Sequence, residues 1–69
     1  MTLREDVNRV LMDGKEHDTR SILKNLKWDN EVWKHKHPKH SIRCCFLRME
    51  QKGEVVRIKD RVPMAVRRV

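Results

Sequence analysis

Lys39-His-Ser-Ile-Arg-Cys-Cys-Phe-Leu-Arg-Met-Glu-Gln-Lys-Gly-Glu-Val-Val-Arg-Ile58 changes its period partway along. Ile42, Cys45, Phe46 and Met49 recur at i, i+3, i+4 and i+7, the spacing that makes one apolar stripe on a helix. Gly53 then supplies a residue that tolerates the left-handed conformation in which helices commonly stop. Val55, Val56 and Ile58 follow at once, and β-branched side chains favour a pleated strand. The stretch therefore predicts a helix over about 39–51 followed directly by a short strand. With the stripe turned inward, Lys39, His40, Arg43, Cys44, Leu47, Arg48 and Gln51 face outward.

Working back toward the start, Thr2-Leu-Arg-Glu5 is a capping box, in which the hydroxyl accepts from the backbone at Glu5 and the carboxylate reaches back. Leu3, Val7, Val10 and Leu11 repeat at helical spacing, with Arg4, Glu5, Asp6, Asn8 and Arg9 assigned to the other faces. Asp13-Gly14 ends this helix, which reads as scaffold. Lys15-Glu16-His17 is too short for a helix and suits an extended run. Asp18 or Thr19 caps a second helix whose core stripe is Ile22, Leu23 and Leu26. On the far side of the opening stretch, Val55–Ile58 and Met64–Val69 read as the strands of a hairpin. Lys59-Asp-Arg-Val-Pro63 forms its tip, with Asp60 suited to a turn and Pro63 to a strand start or edge.

This order of elements resembles a winged helix-turn-helix domain. The carrying features are the capped first helix, the Gly turn, the short second helix, and the helix that Gly53 breaks before a strand. The resemblance covers nearly the whole of residues 1–69 and implies one small α+β domain, three helices and a C-terminal two-stranded wing over 54–69. It also implies that the helix at about 39–51 enters the major groove of double-stranded DNA, as in a transcriptional regulator or accessory factor. In a plain helix-turn-helix, three or four residues precede the recognition helix. Here about a dozen do, Lys27 through Lys39, a position where winged helices accept insertions. Trp28 and Trp33 lie in that insert, where they plug the core, pin the loop, or stack on a base or partner.

Charge points the same way. The 69 residues carry 17 Lys plus Arg against 10 Asp plus Glu, a formal net charge of +7. Residues 1–33 hold six basic and seven acidic side chains, and residues 34–69 hold eleven and three, so the excess sits wholly on the recognition helix and wing. Such asymmetry suits a phosphate-rich partner. The run Lys34-His-Lys-His-Pro-Lys-His40 is the most basic. Pro38 fits a first helical turn, so the helix begins near His37–Lys39 or is capped later by Ser41, and the free amides there favour a phosphate. The candidate DNA-binding residues are Lys36, Lys39, His40, Arg43, Arg48, Arg57, Lys59 and Arg61. Lys36, Lys39, Arg57, Lys59 and Arg61 are assigned to phosphates and Arg43 to base reading, since Arg grips guanine bidentately.

Other classes find less support. No Gly-rich phosphate loop, no G-x-S-x-G and no close carboxylate pair is present, so no catalytic residue, enzyme activity or cofactor is expected. His35, His37 and His40 approach Cys44 and Cys45, but there is no C-x-x-C, and a basic surface is the simpler account than zinc. Adjacent cysteines do not form a disulfide framework, which together with the absence of an apolar leader suggests a cytoplasmic location. No apolar run is long enough for a membrane span. Leu47 is open to three roles, packing under the wing, touching a thymine methyl, or a dimer contact. The alternative reading is a protein-interaction winged helix that docks on a polymerase or another regulator through Trp28, Trp33 or Leu47. RNA is a third possible partner. A monomer or a weak homodimer is expected.

Overall fold

The computed structural model describes residues 2–69. Its elements are α1 (Leu3–Leu11), β1 (His17–Asp18), α2 (Thr19–Asn25), a 3₁₀ turn (Glu31–Lys34), α3 (Pro38–Gln51), β2 (Val55–Ile58) and β3 (Ala65–Arg68). Among the described residues this is a small α+β arrangement of three α-helices and a three-stranded antiparallel sheet. The expected two-stranded hairpin is present, and a third strand joins it at His17–Asp18, at the end of the extended run expected over Lys15–His17. β1 pairs with β3 at His17↔Val66 and Asp18↔Ala65, so the sheet runs β1-β3-β2 with the last strand in the middle. Two residues are too short to announce a strand by alternation. β1 exists because β3 offers it an otherwise open edge of amides and carbonyls.

Local signals account for the helix ends. The Thr2 hydroxyl accepts from the Glu5 amide at 3.3 Å and the Glu5 carboxylate accepts from Thr2, closing the capping box and holding the Glu5 carboxyl below its usual value. Gly14, at φ +73°, turns the chain out of α1. The Asp18 carboxylate caps α2 by accepting from the Ser21 amide at 2.8 Å. His17 ties the α1–β1 turn to α2, with its Nδ1 at 2.7 Å from the Ser21 hydroxyl and Nε2 at 2.9 Å from the Asp13 carboxylate. At the far end of α3, the Gly53 amide donates to Glu50 O and the Glu54 amide to Met49 O, and Gly53 takes φ +74°.

The core joins Leu3, Val7, Val10 and Leu11 of α1 to Ile22 and Leu26. Val32 of the 3₁₀ turn, Ile42, Phe46 and Met49 of α3, and Val55 and Val66 of the sheet complete it. Phe46 is wholly buried at the centre. Cys45, expected in the inward stripe, sits at its margin and packs against the core while remaining partly exposed.

Residues 26–37 are where the structure departs most from the sequence reading. Neither tryptophan plugs the core: Trp28 is 89% exposed and Trp33 44%. Val32, in the 3₁₀ turn, enters the core instead. A small β-branched side chain fits the gap beside α3, whereas an indole would overfill it. Trp33 does pin the loop, because its indole N–H donates to Lys27 O at 2.7 Å.

Candidate nucleic-acid interface

Asp6 departs from its expected place on the outer faces of α1. It is fully buried. One carboxylate oxygen accepts from the Lys27 amide at 2.7 Å and from the Asn30 side-chain amide at 3.0 Å. The other accepts from Arg9 Nε at 2.7 Å, and Arg9 reaches on to Asn25 O at 2.6 Å. Burial by itself pushes the Asp6 carboxyl up, but the Lys27 amide, Arg9 and Asn30 together outweigh it and hold the group below the ordinary aspartate value. Asn30 in turn accepts from the Val32 amide at 2.9 Å, capping the 3₁₀ turn. One carboxylate therefore fixes where the insert leaves α2 and hence where it delivers α3. A signal was present: Asp6 lies three residues after Leu3 and four before Val10, on the apolar stripe itself.

α3 begins at Pro38, the first of the two expected starts, and not after a cap at Ser41. Its N-cap, His37, makes no side-chain capping bond, and no acidic residue lies in the first turn. The amide end of the helix dipole is therefore left to solvent beside Lys36, Lys39 and His40, all exposed.

Between the first half of α3 and the 58–64 turn lies an open groove of about 670 Å³. Lys39, His40, Arg43, Arg57, Lys59 and Arg61 line it, and Asp60 is the one carboxylate on its wall. Six of the eight candidate residues are thus brought together by the return of the β2–β3 turn toward α3. Two of the cations are held by ion pairs, Arg57 to Glu50 at 2.7 Å and Arg61 to Glu16 at 3.2 Å. All four side chains are roughly one-third to one-half exposed, and such pairs contribute at most about 1 kcal/mol. Lys39, Arg43 and Lys59 make no ion pair among the described residues.

The remaining candidates lie elsewhere. Lys36 is exposed in the bend before α3 and outside the groove. Arg48 lies across the helix, in a second groove bounded by α1 and the 3₁₀ turn, and His40 lines both grooves. The outermost line of α3, opposite Ile42, Phe46 and Met49, is His40, Cys44, Leu47 and Gln51 at helical spacing. His40 Nε2 stands 3.6 Å from Cys44 Sγ. Leu47 is half-buried on this ridge. Cys44 and Cys45 are free thiols, and burial pushes the Cys45 thiol up. Among the described residues, no three His, Cys, Asp or Glu side chains gather as a metal site. Among them, too, no helix is long and apolar enough to cross a membrane.

Comparison of the chain with protein-family models, curated proteins and solved structures found no match.

Proposed function

We propose that the protein is a winged helix-turn-helix module that binds double-stranded DNA, with α3 in the major groove and residues 54–69 as the wing. The element order helix, short strand, helix, helix, hairpin supports this reading. The observation that carries it is the groove in which α3, β2 and the β2–β3 turn present five cationic side chains against one carboxylate. A cationic trough beside a protruding helix suits a phosphodiester strand running alongside the groove being read. Lys39, Arg57, Lys59 and Arg61 supply phosphate contacts. Arg43, partway along the helix and free of an ion pair, is the base reader, with His40 beside it. The role that follows is transcriptional regulation or an accessory function on DNA.

The test is a titration of duplex DNA at two or more salt concentrations. The four phosphate contacts give a slope of log affinity on log salt of about −3 to −4. Lys59→Ala lowers affinity for all sequences and makes the slope shallower by about one. Arg43→Ala costs roughly 1–3 kcal/mol on the preferred site and relaxes base preference there. A slope near zero would defeat the proposal.

A second reading draws on the 89% exposure of Trp28, in the same insert as the half-exposed Trp33. Exposed aromatic anchors suit a protein partner. In that case Trp28→Ala abolishes the interaction and salt changes it little, the reverse of the DNA outcome.

A further inference from the structure

Of the three aromatic side chains, Phe46 is buried and Trp28 lies almost wholly in solvent, whereas Trp33 is both held and 44% exposed. Its indole N–H donates to Lys27 O at 2.7 Å and its backbone amide to Asn30 O at 3.2 Å. Both of those residues are themselves anchored, since buried Asp6 accepts from the Lys27 amide and from the Asn30 side chain. The ring therefore meets solvent in a set orientation, with its one polar group already paired. It is not spent on the core, whose gap beside α3 is filled by Val32.

The surroundings are cationic. Lys27, Lys34, Lys36 and Lys39 are all exposed, and none makes an ion pair among the described residues. Residues 27–39 hold two carboxylates, Asp29 and Glu31, and Glu31 is engaged by the Leu3 amide, from which it accepts at 3.2 Å. Along the chain the lysines lead from the ring to the phosphate trough, whose wall includes Lys39.

We infer that Trp33 is a stacking platform for an unpaired base of single-stranded DNA, with Lys27, Lys34 and Lys36 meeting the flanking phosphates. Free lysines around an exposed indole select a polyanion that carries flat rings, the chemistry of a nucleic-acid strand. Inside a duplex each base face is covered by its neighbour, so only an unpaired base offers one to the ring. A side chain already held in place loses little freedom on binding, which favours the contact. The substrate that joins this platform to the trough is a duplex with a single-stranded extension. The choice of DNA over RNA rests on the proposed duplex binding; the stack itself does not.

The test uses the full chain carrying Trp28→Phe, a change at an 89% exposed side chain, so that Trp33 is the only indole. The probes are a thymidylate dodecamer and an abasic dodecamer of equal length and charge. The thymidylate strand is expected to quench Trp33 saturably and to bind roughly fivefold to a hundredfold more tightly than the abasic strand, the scale of one base–aromatic stack. Both strands are expected to share one salt slope, because their phosphates are the same. Trp33→Ala in the native chain is expected to bring the thymidylate strand down to the affinity of the abasic one. Should that variant fail to fold, the comparison of the two strands on the Trp28→Phe chain decides. Equal binding of the two strands, or no saturable quenching of Trp33, would overturn the inference. Tighter binding of a uridylate dodecamer than of the thymidylate would overturn the assignment to DNA. Quenching of Trp33 by the thymidylate strand in a protein that binds no duplex would uphold the platform while defeating the trough, so the two failures are told apart.

Discussion

Replacing Asp6 by alanine tests whether one buried carboxylate governs the path of residues 26–37. The substitution leaves two donors without their acceptor, the Lys27 amide and the Asn30 side-chain amide, now at 2.7 and 3.0 Å. Each buried donor left unpaired costs about 1–3 kcal/mol. Arg9 adds little, because it is 44% exposed and keeps its bond to Asn25 O. The Asn30 amide retains only a 3.4 Å contact with Thr2 O. Because the Lys27 amide is only part-buried, the expected loss is about 3 kcal/mol, within limits of roughly 2–6. A chain of this length is stable by roughly 3–10 kcal/mol, so the variant should be partly or wholly unfolded at room temperature. Urea titrations followed by circular dichroism and by Trp fluorescence would measure it, the second reporting the Trp33–Lys27 contact. The same group sets an acid limb. Its carboxyl titrates lower in the folded protein than in the unfolded chain. Its contribution is thus full above the unfolded value near 4 and is lost as pH falls through the folded value. Asp6→Asn should be less stable at neutral pH and flatter below pH ~4, with Glu5 and Asp13 supplying what slope remains. A loss under about 1 kcal/mol in Asp6→Ala, or an undiminished acid limb in Asp6→Asn, would refute the reasoning.

Other substitutions separate the remaining claims. Val32→Ala should destabilise by about 2–3 kcal/mol, from lost burial plus a residual cavity. Trp28→Ala should stay within about 0.5 kcal/mol, because its side chain is almost entirely in solvent. Denaturant midpoints in the opposite order would return the tryptophan to the core. Gly53→Ala meets no atom within 4 Å of the added carbon, so its cost is the left-handed backbone alone, about 1–2 kcal/mol. A melting curve showing no loss there would contradict the positive φ. Glu50→Gln releases Arg57 from its ion pair and should change stability by less than about 1 kcal/mol. If Arg57 contacts phosphate, the same variant should bind DNA more tightly at low salt, since no carboxylate then competes for the guanidinium. Weaker binding would assign Glu50 a positioning role instead.

Much of the molecule was legible without coordinates because it depends on residues one turn or one pleat apart. The capping box at Thr2–Glu5, the inward line Ile42, Phe46 and Met49, the stop at Gly53 and the strand Val55–Ile58 are all of that kind. So is the concentration of positive charge after residue 33, which needs only counting. What chain neighbours do not specify had to wait for the fold. β1 is a strand only because β3 lies beside it. Asp6 is tolerable in the interior because an amide 21 residues away and another 24 away point at it, beside Arg9 on its own helix. Val32, not an indole, fills the gap by α3 because the space left by three helices is small. Tertiary packing likewise sorted the cations, turning Lys39, Arg43 and Lys59 toward one trough and sending Arg48 to the other side of the helix. Periodicity reports which way a side chain leaves its own element. Which distant group it then meets, and so whether a charge is solvated, paired or buried, depends on how the elements close on one another.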